Sequence, residues 1–194
     1  MQKIKLRQGD ALIIIDMQND FMPNGTLPVP EADKIIPILN IYIDLFSYKS
    51  LIIIASRDWH PPNHCSFKEY GGIWPSHCVA GTKGAEFPKE LNIPKNAIII
   101  SKATSPEKDA YSALQDTELS DFLEYHSVQR CFVGGVATDY CVLHTVLDLL
   151  KKGYETYILK DAIKAVNVNP EDGKKAIENM QKKGAKVITL EKIE

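Results

Sequence analysis

The 194 residues are 44% hydrophobic and 25% charged with a formal charge of −2, the profile of an ordinary globular chain with material for one sizeable core. That balance lacks the basic excess that phosphate backbones attract, so nucleic acid is not an expected partner. Charge interrupts the opening MQKIKLRQGD before any stretch of signal length, and no apolar run approaches the roughly 18 residues that a membrane span requires.

A cytoplasmic chain forming one domain over residues 1–194, with no membrane partner, is therefore expected. Its four cysteines, Cys65, Cys78, Cys131 and Cys141, show no CxxC pair. A disulfide framework is not expected from such spacing, whereas individual thiol chemistry stays open.

In chain order, ALIIID at 11–16 opens the pattern as a buried strand, being short, apolar and rich in β-branched residues. A helical pattern, EADKIIPILNIYIDLFSY, runs from 31, and SLIIIAS at 50–56 reads as a second buried strand. The interval 57–96 breaks the rhythm with Pro, Gly, His and Trp, and a loop of that length in a compact domain is usually functional. AIIIS at 97–101 and RCFVGG at 130–135 are two more strands, with LSDFLEYH from 119 as a helix between them. A helix from 139 follows, DYCVLHTVLDLLKKG, in which Val142, Val146, Leu149 and Leu150 share one face. The weaker strands ETYILKD at 155–161 and KVITL at 186–190 flank a last helix from 170, and Gly153 and Gly184 read as helix stops. Strands alternating with helices predict an α/β fold, a doubly wound parallel sheet covered on both faces.

Ligands of such sheets sit outside the carboxyl ends of the strands. Reactive side chains collect there: Asp16 after the first strand, Arg57-Asp58-Trp59-His60 after the second, Lys102 after the third and Cys141 after the fourth. Cys141 has two readings. As a free cysteine it can be a small buried residue above the sheet. At a helix start, beside unpaired N–H groups and the positive end of the helix dipole, its thiolate is favoured, and amides such as those of Ala137 and Cys141 can hold an oxyanion. Lys102 would steady the thiolate and Asp16 would shuttle the proton. Asp20 and Asp139 read as caps, and His144, one helical turn past Cys141, reads as a supporting residue.

Asp58 and His60, two apart in an extended segment, point to the same side and can offer one cation an oxygen and a nitrogen. His77 and His64 are candidates to complete the shell. Cys65 and Cys78 beside those histidines leave a thiolate-containing structural zinc site as the rival arrangement, and turn histidines with a capping aspartate as the plain one. Oxygen and imidazole donors suit zinc, iron or manganese.

With IDMQNDF at 15–21, RDWHPPNH at 57–64, WPSHCV at 74–79, SKATSPEKDAYSAL at 101–114 and GGVATDYCV at 134–142 in this order, the chain resembles the nicotinamidases of the isochorismatase-like cysteine hydrolases. The resemblance implies a six-stranded parallel sheet and hydrolysis of nicotinamide to nicotinate and ammonia in NAD salvage, with pyrazinamide as a further substrate. It implies Asp16, Lys102 and Cys141 as catalytic triad. It also implies Asp58, His60 and His77 as ligands of one divalent metal, zinc foremost, with His64 a ligand in some relatives and not in others. A cis peptide between Val136 and Ala137 would make an oxyanion hole of the Ala137 and Cys141 amides, and Phe21, Trp74, Tyr111 and Ala137 would surround the ring. Many relatives carry histidine where this chain has Tyr140. A related cysteine amidohydrolase acting on a carbamoyl or ureido compound is the neighbouring reading, and a non-catalytic metal- or partner-binding module the distant one. A homo-oligomer stays open, since a sequence does not show which apolar residues are exposed.

Overall fold

In the computed structural model, which describes residues 3–194, six parallel strands form one sheet: β1 (Asp10–Ile15), β2 (Ile52–Asp58), β3 (Ile98–Lys102), β4 (Arg130–Val136), β5 (Glu155–Lys164) and β6 (Lys186–Ile188). Their spatial order is β3-β2-β1-β4-β5-β6, so strand order reverses between β1 and β4, the place where open parallel sheets bind ligands. The four helices are α1 (Ile36–Tyr48), α2 (Leu119–Tyr125), α3 (Leu143–Lys151) and α4 (Asp172–Lys182).

Side-chain alternation along β1 divides the core. Leu12 and Ile14 pack with Leu39, Tyr42 and Phe46 of α1 on one face, whereas Ile13 and Ile15 pack with Leu123, Val146, Leu149 and Met180 of the other helices on the second. Every residue of β1 and of β4 is buried, which explains why these runs lack a polar alternation.

Several boundaries differ from the sequence expectation. The segment Ala32–Ile35 is a 3₁₀ turn rather than the first turn of α1, because Glu31 is left-handed at φ 59° and Pro37 sits in the first turn of the helix, where its fixed φ and missing N–H are tolerated. β5 runs three residues beyond 161, and β6 is only three residues long. The fourth helix begins at Asp172, after Glu171 adopts φ 74°. Cys141 does not open an α-helix. It lies in a π-helical turn, Thr138–Val142, that precedes α3. No helix among the described residues is long and apolar enough to cross a membrane.

Candidate active site

The carboxyl ends of β1 and β4 approach closely because of Gly135, whose φ is 114° and where an added Cβ would stand 2.1 Å from the Ile15 carbonyl oxygen. Past that contact the chains diverge. β1 turns out of the sheet at Asp16, which adopts φ 47°, and β4 passes through a cis Val136–Ala137 peptide into the π-turn that carries Cys141. β2 and β3 deliver Asp58 and Lys102, which are register partners.

Lys102 joins these segments. Its ammonium is 3.0 Å from Asp16 Oδ2 and 3.5 Å from Cys141 Sγ, donates to the Ala110 carbonyl at 3.1 Å, and is hydrogen-bonded to Asp58 Oδ1. Lys102 is 1% exposed and Asp16 0%, so all of this occurs in a medium where charge is weakly screened. Ser56 fixes the other carboxylate oxygen, donating from Oγ to Asp16 Oδ1 at 2.7 Å. Asp16 Oδ2, although close to the ammonium, lies off the angle a hydrogen bond needs and has no hydrogen-bond partner. A buried acceptor left unsatisfied is rare and marks a group reserved for something else.

Burial disfavours the ion at Cys141, and the neighbouring Asp16 and Asp58 carboxylates add to that against the opposing pull of Lys102, so the thiol is pushed well above the ordinary cysteine value. Burial likewise raises Asp16 against the pull of Lys102. Burial alone would lower Lys102, but the two carboxylates hold it well above the ordinary lysine value. The structure corrects one part of the expectation: the cation beside the sulfur is the Lys102 ammonium, not the end of an α-helix, since no α-helix starts at the sulfur. The sulfur lies within 4.8 Å of a carboxylate oxygen of both Asp16 and Asp58.

Asp58, His60 and His77 each bring one ligand atom within 4.8 Å of the other two. The tautomers follow from the backbone. His60 Nδ1 donates to the Ala103 carbonyl at 3.2 Å and His77 Nδ1 to the Pro75 carbonyl at 2.7 Å, so the lone pair of each ring is on Nε2. His60 Nε2 is buried without a hydrogen-bond partner and stands 3.7 Å from Asp58 Oδ2. Burial would raise Asp58, but Lys102 and then His60 hold its carboxyl far below the usual range. One anionic oxygen and two outward lone pairs, each imidazole braced by a carbonyl, form a donor set that fits a divalent cation. His64 stands outside it. Its ring stacks on His60 with centroids 4.1 Å apart, but Nε2 is committed to the Lys108 carbonyl at 3.1 Å and Nδ1 to Ser66 Oγ at 2.7 Å, which leaves no lone pair to donate. Among the described residues neither metal-type cluster includes Cys65 or Cys78.

Both clusters open on one cavity, lined by Phe21, Trp74, Tyr111, Ala137 and Cys141 among others. Trp74 Nε1 donates to the Tyr111 hydroxyl at 3.1 Å, and Tyr140 packs edge-on against Trp74 at 5.2 Å. The exposed His144 stacks on Tyr111 at 5.4 Å, behind the wall rather than in the site.

Asp139 does not cap its own helix. Its carboxylate accepts from the Val166 and Asn167 amides at 2.9 and 2.7 Å and so ties the loop after β5 to the π-turn. That loop adds Val166 to the cavity, a wall that extending the strand-end rule to the fifth strand would have found. Tyr140, Leu27 and Val29 also line it. Ser56 has no sequence signal of its own; only the register that sets β2 beside β1 reveals it.

The Isochorismatase domain family matches residues 10–192. The chain is 37% identical over 201 residues to the nicotinamidase of Escherichia coli (strain K12), covering 93% of this chain and 94% of that protein. It superposes on the crystal structure of the pyrazinamidase of Pyrococcus horikoshii in complex with zinc with a TM-score of 0.90 at 52% identity, covering 94% and 99% of the two chains. The structure of PnC1 from L. infantum in complex with nicotinate gives 0.92 at 31% identity over 99% and 98%.

Proposed function

The chain belongs to the isochorismatase domain family, and we propose from that premise that it is a metal-dependent nicotinamidase, hydrolysing nicotinamide to nicotinate and ammonia in NAD salvage and deamidating pyrazinamide as well. One observation carries the reading: a single buried ammonium, that of Lys102, touches the carboxylate of Asp16, the sulfur of Cys141 and the ligand carboxylate of Asp58 at the edge of one aromatic-walled cavity. The named relatives support the substrate and the cofactor.

Asp58, His60 and His77 would hold the cation, zinc being the one bound by the P. horikoshii relative. Once bound, it would supply a Lewis acid for the pyridine nitrogen. Phe21, Trp74 and Tyr111 wall the ring in. Asp16 takes the Cys141 proton as the sulfur attacks the carboxamide carbon, and Lys102 balances the charge that passes between them. The carbonyl oxygen becomes an oxyanion facing the amides of Ala137 and Cys141. The Ala137 carbonyl accepts from Tyr140 and Val142 on either side of Cys141, at 3.0 and 3.1 Å, which fixes the turn around the intervening amide. Asp16 returns its proton to the leaving ammonia as the C–N bond breaks and a thioester forms. Water, deprotonated by Asp16, then cleaves the thioester to nicotinate and restores the thiol.

In this reading the protein acts on a small molecule, with neither nucleic acid nor membrane as partner, as one hydrolase domain in the cytoplasm, and its four unpaired cysteines suit a reducing compartment. Ammonia release from nicotinamide, measured before and after chelation and again on N-carbamoyl compounds, tests it. Activity on nicotinamide that chelation abolishes and metal restores supports the proposal, whereas release from the carbamoyl compounds alone replaces it with the related amidohydrolase.

A further inference from the structure

β2 outruns its neighbour. The β1–β2 ladder ends at Ile14 and Ala55, with one further bond from the Asp16 amide to the Ser56 carbonyl, because β1 turns away at Asp16. Asp58 is therefore paired on one side only, with Lys102 of β3. Its main chain would be left with an open donor and an open acceptor in the interior, which is costly.

The side chain of Gln18 closes that gap. Its Oε1 accepts from the Asp58 amide at 2.8 Å, and its Nε2 donates to the Asp58 carbonyl at 2.8 Å and to the Ala85 carbonyl at 3.0 Å. A primary amide has the donor and acceptor of a peptide unit. Gln18, 0% exposed, thus stands in for the missing strand and fixes the backbone of a residue in the metal-type cluster. Two residues on, Asp20 does the same for the other segment of that cluster. Its Oδ2 accepts from the Cys78 amide at 2.7 Å, next to His77, where Cys78 takes φ 46°. The two segments are also joined directly, by the His60 amide to the Cys78 carbonyl at 3.1 Å.

We propose that Gln18 and Asp20 are positioning residues of the metal centre: the segment that begins with Asp16 holds the ligand-bearing backbones of Asp58 and His77 in place before any ion arrives. The inference rests on the reading of Asp58 and His77 as metal ligands. It makes the run 16–20 a single device, with Asp16 serving the sulfur and the next two alternate side chains serving the cation.

Zinc affinity, measured by competition with a chromogenic chelator, tests the proposal on the full chain. Gln18→Met should weaken zinc binding about 10- to 100-fold, the usual effect of losing an outer partner of a metal ligand, with ammonia release recovered at saturating zinc. Asp20→Ala should do likewise and Asp20→Asn, which keeps an acceptor oxygen, should restore binding. A folded Gln18→Met that binds zinc as tightly as the parent overturns the proposal. Should the variants not fold, hydrogen exchange in the unmutated protein decides: the Asp58 and Cys78 amides are expected to exchange as slowly after chelation as with zinc bound, and exchange at open-chain rates after chelation overturns preorganisation. A parent protein that binds no zinc or releases no ammonia sinks the functional reading instead, so the two failures are told apart.

Discussion

Two buried ion pairs stand at opposite ends of the same strands. At the amino end, Asp10 of β1 and Arg130 of β4 are register partners locked in a closed pair. Arg130 donates from Nε to Oδ1 and from Nη2 to Oδ2, each at 2.6 Å, with Nη2 also reaching the Lys5 carbonyl at 2.9 Å, and the Arg7 amide adds a bond to Oδ2 at 2.8 Å. At the carboxyl end, Lys102 serves Asp16 and Asp58 together, and Asp16 Oδ2 and His60 Nε2 remain without hydrogen-bond partners. The first is a closed bidentate pair between a guanidinium and a carboxylate. The second concentrates two anions on one cation and leaves two buried acceptors without partners. Chemistry needs the unspent valences of the second; in the first both carboxylate oxygens are taken.

The contrast can be broken from either end. The largest effect is expected at the carboxyl end: Cys141→Ala should lose ammonia release by about 10⁴-fold or more, as removal of a nucleophile does, while its melting temperature stays at or above that of the parent. Appreciable turnover by this variant would overturn the assignment. Chelation, or His77→Ala, should come next, abolishing turnover in a way that added zinc reverses only for the chelated parent. At the amino end, Arg130→Met should leave Asp10 buried and uncompensated and cost about 3–5 kcal/mol in denaturant unfolding, with turnover per folded molecule unchanged. Replacing both partners, Asp10→Leu with Arg130→Met, should recover most of that loss; failure to recover would show that the pair does more than neutralise itself. Ser56→Ala, which frees Asp16 Oδ1, should lower kcat roughly tenfold or less with little change in KM, on the scale of one hydrogen bond of about 1 kcal/mol, and Ser56→Thr should rescue it.

A third, exposed set gives the smallest effect. Hydrogen bonds from Lys164 and Lys34 hold Glu31 at about 2, below its ordinary 4.5. A carboxylate depressed on folding contributes stability above its unfolded value, and that contribution fades as pH falls from about 4.5 toward 2. Glu31→Gln should flatten only that stretch of the stability profile, and weakly, since solvent screens the pair.

Much of this was legible in the chain. The buried strands announced themselves because β1 and β4 have no exposed face, and the rule that parallel sheets bind ligands at their carboxyl ends picked out Asp16, Asp58, Lys102 and Cys141, of which the structure brings the other three into contact with the Lys102 ammonium. Less legible were the groups whose meaning depends on a neighbour remote in sequence. His64 looked like His60 and His77 until the Lys108 carbonyl, 44 residues away, was seen to occupy its second nitrogen. Asp139 looked like a cap, yet it binds amides 27 and 28 residues on. Gln18 had no visible role because the strand it completes is 40 residues distant.

Residue type and periodicity settled the fold class and the side chains available at the sheet's edge, since both follow from which residues must leave water and from how successive side chains alternate along a strand. Protonation and satisfaction were decided only by the folded arrangement. Whether Cys141 carries its proton, which imidazole nitrogen keeps a lone pair and which buried carboxylate is left wanting a partner depend on distances of a few ångströms and on exclusion of solvent, and neither quantity exists until the distant segments have packed together.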